Sequence, residues 1–108
     1  MANIYYEPEK FDLELVGRVN LAECGDEYEL VAVWRDNAGQ LYMASNSGCP
    51  CCTDPFQDYE RTDLQPVNVE ELERHLYAEA ETHDYPEVDD PRQEIRELVA
   101  SAKRSPAE

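Results

Sequence analysis

From Phe11 onward the chain alternates: Phe11, Leu13 and Leu15 fall on one side, Asp12 and Glu14 on the other. A period of two with one polar face describes a half-exposed strand, here predicted over residues 10–21. Gly17 marks the place for a bulge, after which Val19 and Leu21 continue the strand. Ala22 to Glu27 has turn chemistry around Gly25. The next segment, residues 28–35, is apolar on both sides: Tyr28, Leu30, Ala32 and Trp34 share one face, and Val31 and Val33 make the other apolar too. Such a strand belongs in the middle of a sheet. Asp36-Asn37-Ala38-Gly39 reads as a tight hairpin connection, and residues 40–45 return with Leu41, Tyr42 and Met43 as a third strand. Residues 1–9 read as a loose lead-in ending near Pro8.

The period then changes. Residues 46–55 carry no regular pattern, and residues 56–63 suggest a short helical turn bearing Phe56 and Tyr59. Asn68 followed three residues later by Glu71 is the arrangement of a capping box. Beyond it, Val69, Leu72, Leu76, Tyr77 and Ala80 recur at helical spacing, predicting a helix over 69–82. Residues 85–89 read as a linker around Pro86. Asp90-Pro91 offers an N-cap acceptor and a proline at the first helical position. Ile95, Leu98, Val99 and Ala102 supply the stripe of a second helix over 91–103, and residues 105–108 form a frayed tail. The reading is a single α+β domain over 1–108: a three-stranded antiparallel meander packed against two C-terminal helices. The helix stripes and one sheet face are expected to share a core containing Leu30 and Trp34.

Composition changes this picture chiefly through charge. A hydrophobic share of 42% is enough for a folded core at this length. The formal net charge, however, is −16. Phosphate backbones and anionic lipid surfaces repel such a chain, so neither direct nucleic-acid binding nor membrane association is expected. A basic protein surface would be attracted. The acids are concentrated in residues 54–90, where thirteen acids face two bases for a net of −11. The N-terminus lacks a basic stretch followed by an apolar run, and no run is long enough to cross a bilayer, so a cytoplasmic location is expected.

Four cysteines occur, at 24, 49, 51 and 52. Zinc favours pairs at C-x₂₋₄-C spacing, and Cys49-Pro50-Cys51-Cys52 departs from it. A metal site would draw on Cys24, Cys49 and Cys51 with His75 or His83 as a further ligand. The expected default is a metal-free loop in which small thiols fill space, with a zinc-stabilised module as the alternative. An oxidisable thiol pair is a third reading.

The run Val33-Trp34-Arg35-Asp36, then Gly39-Gln40-Leu41-Tyr42, then Ser47-Gly48-Cys49-Pro50-Cys51 and Asp54-Pro55-Phe56, resembles a family of small proteins encoded by actinobacterial phages. The resemblance covers residues 28–67 and implies no particular chemistry. Cys52 departs from that family's pattern, in which a proline or small polar residue often stands.

The motifs of common enzyme classes are absent. Only four glycines occur, none in a phosphate loop, and there is no H-E-x-x-H, G-x-S-x-G or H-x-E sequence. A cysteine nucleophile could be assembled on paper from Cys49 or Cys51 with His75, but His75 lies among helix-surface positions. The chain is therefore expected to be a non-enzymatic binder of a host protein with a basic surface. The candidate contact residues are Glu70, Glu73 and Glu81 on the acidic helix, with Phe56 and Tyr59 in the loop. The alternative is a DNA mimic whose carboxylates imitate a phosphate array.

Overall fold

In a strand that is apolar on both sides, alternation sends its side chains into two different layers, and the computed structural model shows both layers filled. It describes residues 3–21, 28–48, 55–57, 59–82 and 91–103. The sheet is an antiparallel meander of β1 (Leu13–Asn20), β2 (Tyr28–Asp36), β3 (Leu41–Gly48) and β4 (Gln65–Val67), in that spatial order. The α+β class and the central place of the Trp34 strand are as expected. The fourth strand is an addition. It spans three residues, one of them Pro66, and pairs Leu41 with Val67 and Met43 with Gln65. A proline at this place suits an edge strand, where a missing N–H costs no ladder bond.

The bulge falls beside Gly17. Leu15 pairs with Trp34 and Gly17 with Val33, leaving Val16 as the extra residue. One extra residue reverses the facing of everything beyond it. Leu13 and Leu15 thus join the layer of Trp34, while Val19 and Leu21 join the layer of Val33. Glycine allows a close approach here: a Cβ at position 17 would lie 2.8 Å from Leu98 Cδ1 of the second helix, which would have to move.

Both helices form where the periodicity placed them, α1 at Val69–Glu81 and α2 at Arg92–Ala102. Asn68 caps the helix as expected, its Oδ1 accepting from the Glu71 N–H at 2.8 Å, but the Glu71 carboxylate accepts from Asn68 Nδ2 at 2.7 Å rather than from the Asn68 backbone N–H of a full capping box. Leu72, Leu76 and Ala80 of α1 and Ile95, Leu98, Val99 and Ala102 of α2 are buried on the layer that also holds Val31, Val33, Leu41 and Met43. Arg35, next on this face, is itself buried. Its Nη2 donates to the carbonyl oxygens of Ser101 at 3.3 Å and Ala102 at 3.1 Å, satisfying the C-terminal end of α2.

The expected shared core needs correction. Leu30 and Trp34 do not meet the helices; they lie on the opposite face with Ile4, Leu13, Tyr28, Ala32, Phe56 and Leu64. Because both faces of β2 are apolar, alternation alone does not say which one the helices cover. The lead-in over 1–9 is also not loose where it is described. Ile4 is fully buried, its carbonyl accepts a hydrogen bond from Trp34 Nε1 at 3.0 Å, and a 3-10 turn follows at Pro8–Phe11. A buried indole N–H needs an acceptor, and the lead-in supplies it. Within 56–63 the Tyr59 N–H donates to the Phe56 carbonyl at 3.2 Å, closing a single turn, and the 3-10 segment lies beyond both aromatics at Arg61–Asp63. The turn around Gly25, the linker over 85–89, Asp90 and the tail at 105–108 lie outside the described residues.

Candidate functional site

The apolar stripe of α1 fixes which of its carboxylates meet water. Glu70, Glu73 and Glu81 are exposed, and none of their carboxylates takes part in an ion pair or hydrogen bond among the described residues. Glu71 is engaged by the cap, and Glu79 is half-buried at the helix edge. Arg74, also exposed, follows Glu70 by four residues on the same side of the helix. The result is an acidic surface interrupted by one guanidinium.

Phe56 and Tyr59 have different fates. Phe56 is fully buried and occupies the left-handed region at φ 58°. A phenylalanine there is strained, and persists because its surroundings fix it. Its N–H donates to Asn46 Oδ1 at 3.0 Å, and its ring meets Trp34 edge-on at 5.3 Å, Tyr59 at 5.2 Å and Tyr5 at 5.4 Å. Expected as a partner contact, Phe56 instead plugs the core and leaves no surface for a partner in this conformation. Tyr59 is half-buried, and its hydroxyl donates to the Ser45 carbonyl at 2.9 Å, leaving part of the ring accessible.

Two residues that the pattern did not single out complete this surface. Tyr5 packs on Phe56, and Tyr6 meets Tyr5 at 5.2 Å in an edge arrangement while remaining 59% exposed. Their signal in the sequence is only a tyrosine pair ahead of a proline. Burial pushes the Tyr5 hydroxyl above its ordinary pKa, against the pull of nearby Arg18.

Among the described residues the carboxyl with the richest set of partners is Asp36, at the start of the hairpin. Its Oδ1 accepts from the N–H groups of Ala38 and Gln40, both at 2.9 Å. Its Oδ2 accepts from the Tyr42 hydroxyl at 3.0 Å and lies 3.8 Å from Arg61 Nη2. Desolvation pushes the carboxyl up, but the Gln40, Tyr42 and Ala38 donors with the Arg61 charge outweigh it and hold the group below its ordinary value. A carboxylate with both oxygens so occupied stabilises a turn and is poorly placed to take a proton from a substrate.

A cavity of about 150 Å³ opens between α1 and the sheet, with His75 and Glu79 on the helix side and Glu29, Ser45 and Ser47 on the sheet side. Among the described residues no group of three or more His, Cys, Asp or Glu is placed to hold a metal ion. Cys24, Cys49, Cys51, Cys52 and His83 lie outside the described residues, so the metal and thiol readings stand on the sequence. Also among the described residues, no helix is long and apolar enough to cross a membrane.

A family model described as a domain of unknown function, DUF7574, matches residues 2–105. No curated protein and no solved structure matches the chain.

Proposed function

We propose that this chain, which belongs to the DUF7574 family of domains of unknown function, is a non-catalytic binding protein whose partner presents a basic surface. The observation that carries the reading is the exposed acidic side of α1. Glu70, Glu73 and Glu81 stand in water with Arg74 the one Lys or Arg of α1, so they add little to folding, and like charges at helical spacing oppose it mildly. Their use is outward: a net charge of −16 steers a basic protein toward the chain. Arg74 within the same surface favours a protein partner of mixed charge over imitation of a uniform phosphate array. The phage-type run from Val33 to Phe56 supports a host protein as the partner and the host cytosol as the place of action.

The test compares the wild type with a Glu70→Gln, Glu73→Gln, Glu81→Gln variant. Affinity capture from a bacterial lysate at low and high salt identifies the partner, and binding kinetics follow on the purified protein. The variant is expected to keep its thermal midpoint. Its association rate should fall at low salt, more than its dissociation rate rises. An association rate unchanged at low salt would reduce the acidic helix to a solubility device.

A further inference from the structure

On the side of the sheet turned away from α1, the structure carries a second exposed surface. We infer that the rings of Tyr5, Tyr6 and Tyr59 form a docking face for arginine side chains of a basic protein partner. The inference rests on the basic-partner reading above and assigns the anchoring contact to a different face from the helix.

A single exposed aromatic is ordinary on a protein surface; a connected set is less so. Here Tyr6 leans on Tyr5, Tyr5 and Tyr59 both lean on Phe56, and Phe56 leans on Trp34. The outer rings are thereby backed by a rigid core. Partly buried Phe11, Leu15, Tyr42 and Ala44 extend the apolar character of the same layer. Rigid aromatic groups with an accessible face and a polar tip are the side chains that anchor interfaces at small entropic cost.

Charge selects the occupant. The segments covering this face expose Glu9, Asp12 and Glu60. The cations beside them are engaged, Lys10 by Glu7 at 3.2 Å, Arg61 by Asp36 at 3.8 Å and Arg18 of β1 by the Tyr5 hydroxyl. Electron-rich ring faces in an acidic setting suit a cation. Guanidinium suits them better than ammonium because it is planar, stacks on rings and holds its water less tightly. The molecule itself holds one such approach: the Arg61 guanidinium carbon lies 6.0 Å from the Tyr42 ring centre.

The probe is a short capped peptide of alternating arginine and glycine, with a lysine–glycine peptide of equal length as control. Binding is followed by nuclear magnetic resonance of the tyrosine rings and by titration. The arginine peptide is expected to bind more tightly than the lysine peptide and to shift the Tyr5 and Tyr6 ring signals. Tyr6→Ala should weaken binding by about two- to fivefold, mainly through faster dissociation, while Tyr6→Phe keeps the affinity because the ring face rather than the hydroxyl makes the contact. Unchanged Trp34 fluorescence in both variants confirms an intact core. Equal affinity for Tyr6→Ala and wild type, or no binding of the arginine peptide, would overturn the assignment. Shifts confined to α1 would also overturn it, while leaving the charge-based reading of the helix standing.

Discussion

On one face of the sheet, Val31 and Val33 meet two amphipathic helices; on the other, Leu30 and Trp34 meet a lead-in and a loop. The helix cover is specified locally. Each helix carries its own stripe and α1 closes its own N-terminus through Asn68, while the end of α2 alone takes a distant tie, from Arg35 67 positions before Ala102. The second cover depends on contacts between distant residues. Trp34 Nε1 reaches Ile4 across 30 positions, Asn3 Nδ2 reaches the Pro55 carbonyl across 52, and a strained Phe56 fills the space between. The difference shows that one strand can support two cores of unequal construction. The helix face spreads its contacts along two regular stripes, so the loss of one contact leaves the others in place. Among the described residues the aromatic face is covered by no regular element beyond two 3-10 segments, so its order depends on its plug.

The largest expected effect tests that dependence. Trp34→Ala should cost about 3–5 kcal/mol, measured by urea unfolding. In the wild type, indole emission should be shifted to the blue of free tryptophan. A cost below about 1 kcal/mol, within the range of surface changes, would mean that the aromatic face contributes no real core and that the comparison fails.

Arg35→Ala probes the other face. It removes two charge-assisted bonds to the Ser101 and Ala102 carbonyls and should cost about 1.5–3 kcal/mol. Amide exchange should quicken at the C-terminal turn of α2 and remain unchanged around Trp34. Quickening on both faces alike would show that the two layers unfold as one unit.

Gly17→Ala sharpens the comparison at the point where β1 changes faces. The new methyl group meets Leu98 Cδ1 at 2.8 Å, so either the side chain or α2 must yield. A loss of about 1–3 kcal/mol in chemical denaturation is expected. A neutral result would mean that Leu98 turns aside without disturbing the helix.

The smallest effect is electrostatic and belongs to the hairpin. The folded state holds the Asp36 carboxyl below its ordinary value of 3.8, so the unfolded chain takes up the proton first. The stabilisation is therefore complete above that value and disappears as pH falls through the lower folded one. Asp36→Asn should remove this part of the acid sensitivity, seen as a flatter dependence of the unfolding midpoint on pH below 3.8 than in the wild type. Identical acid profiles would show that the hairpin contacts do not favour the ionised form.

Much of this was legible before any coordinates. Alternation located the first strand, apolar character on both faces the second and the hairpin after Asp36 the third, Gly17 flagged the bulge, and the Asn68–Glu71 pair marked the start of α1. The exposure of Glu70, Glu73 and Glu81 followed from the stripe opposite them. The rest left no periodic trace. β4 has three residues, too few to establish a period, and its proline argues locally against a strand. Phe56 is a lone aromatic beside an irregular segment, equally suited by type to a core or an interface. Ile4 and Tyr6 sit where the sequence shows only a lead-in.

The sequence by itself determined the kind of the first three strands and of both α-helices, the apolar character of both β2 faces and the acidic outer side of α1. These depend on repeats of two or about 3.6 residues, which a short window contains in full. Only the tertiary structure decided which β2 face the helices cover, that Phe56 turns inward and that Tyr6 remains outside. Those outcomes depend on contacts such as Trp34 with Ile4, whose partners are 30 positions apart and share no local period. Two apolar faces are equivalent to a strand in isolation, and only the segments packed against them make them different.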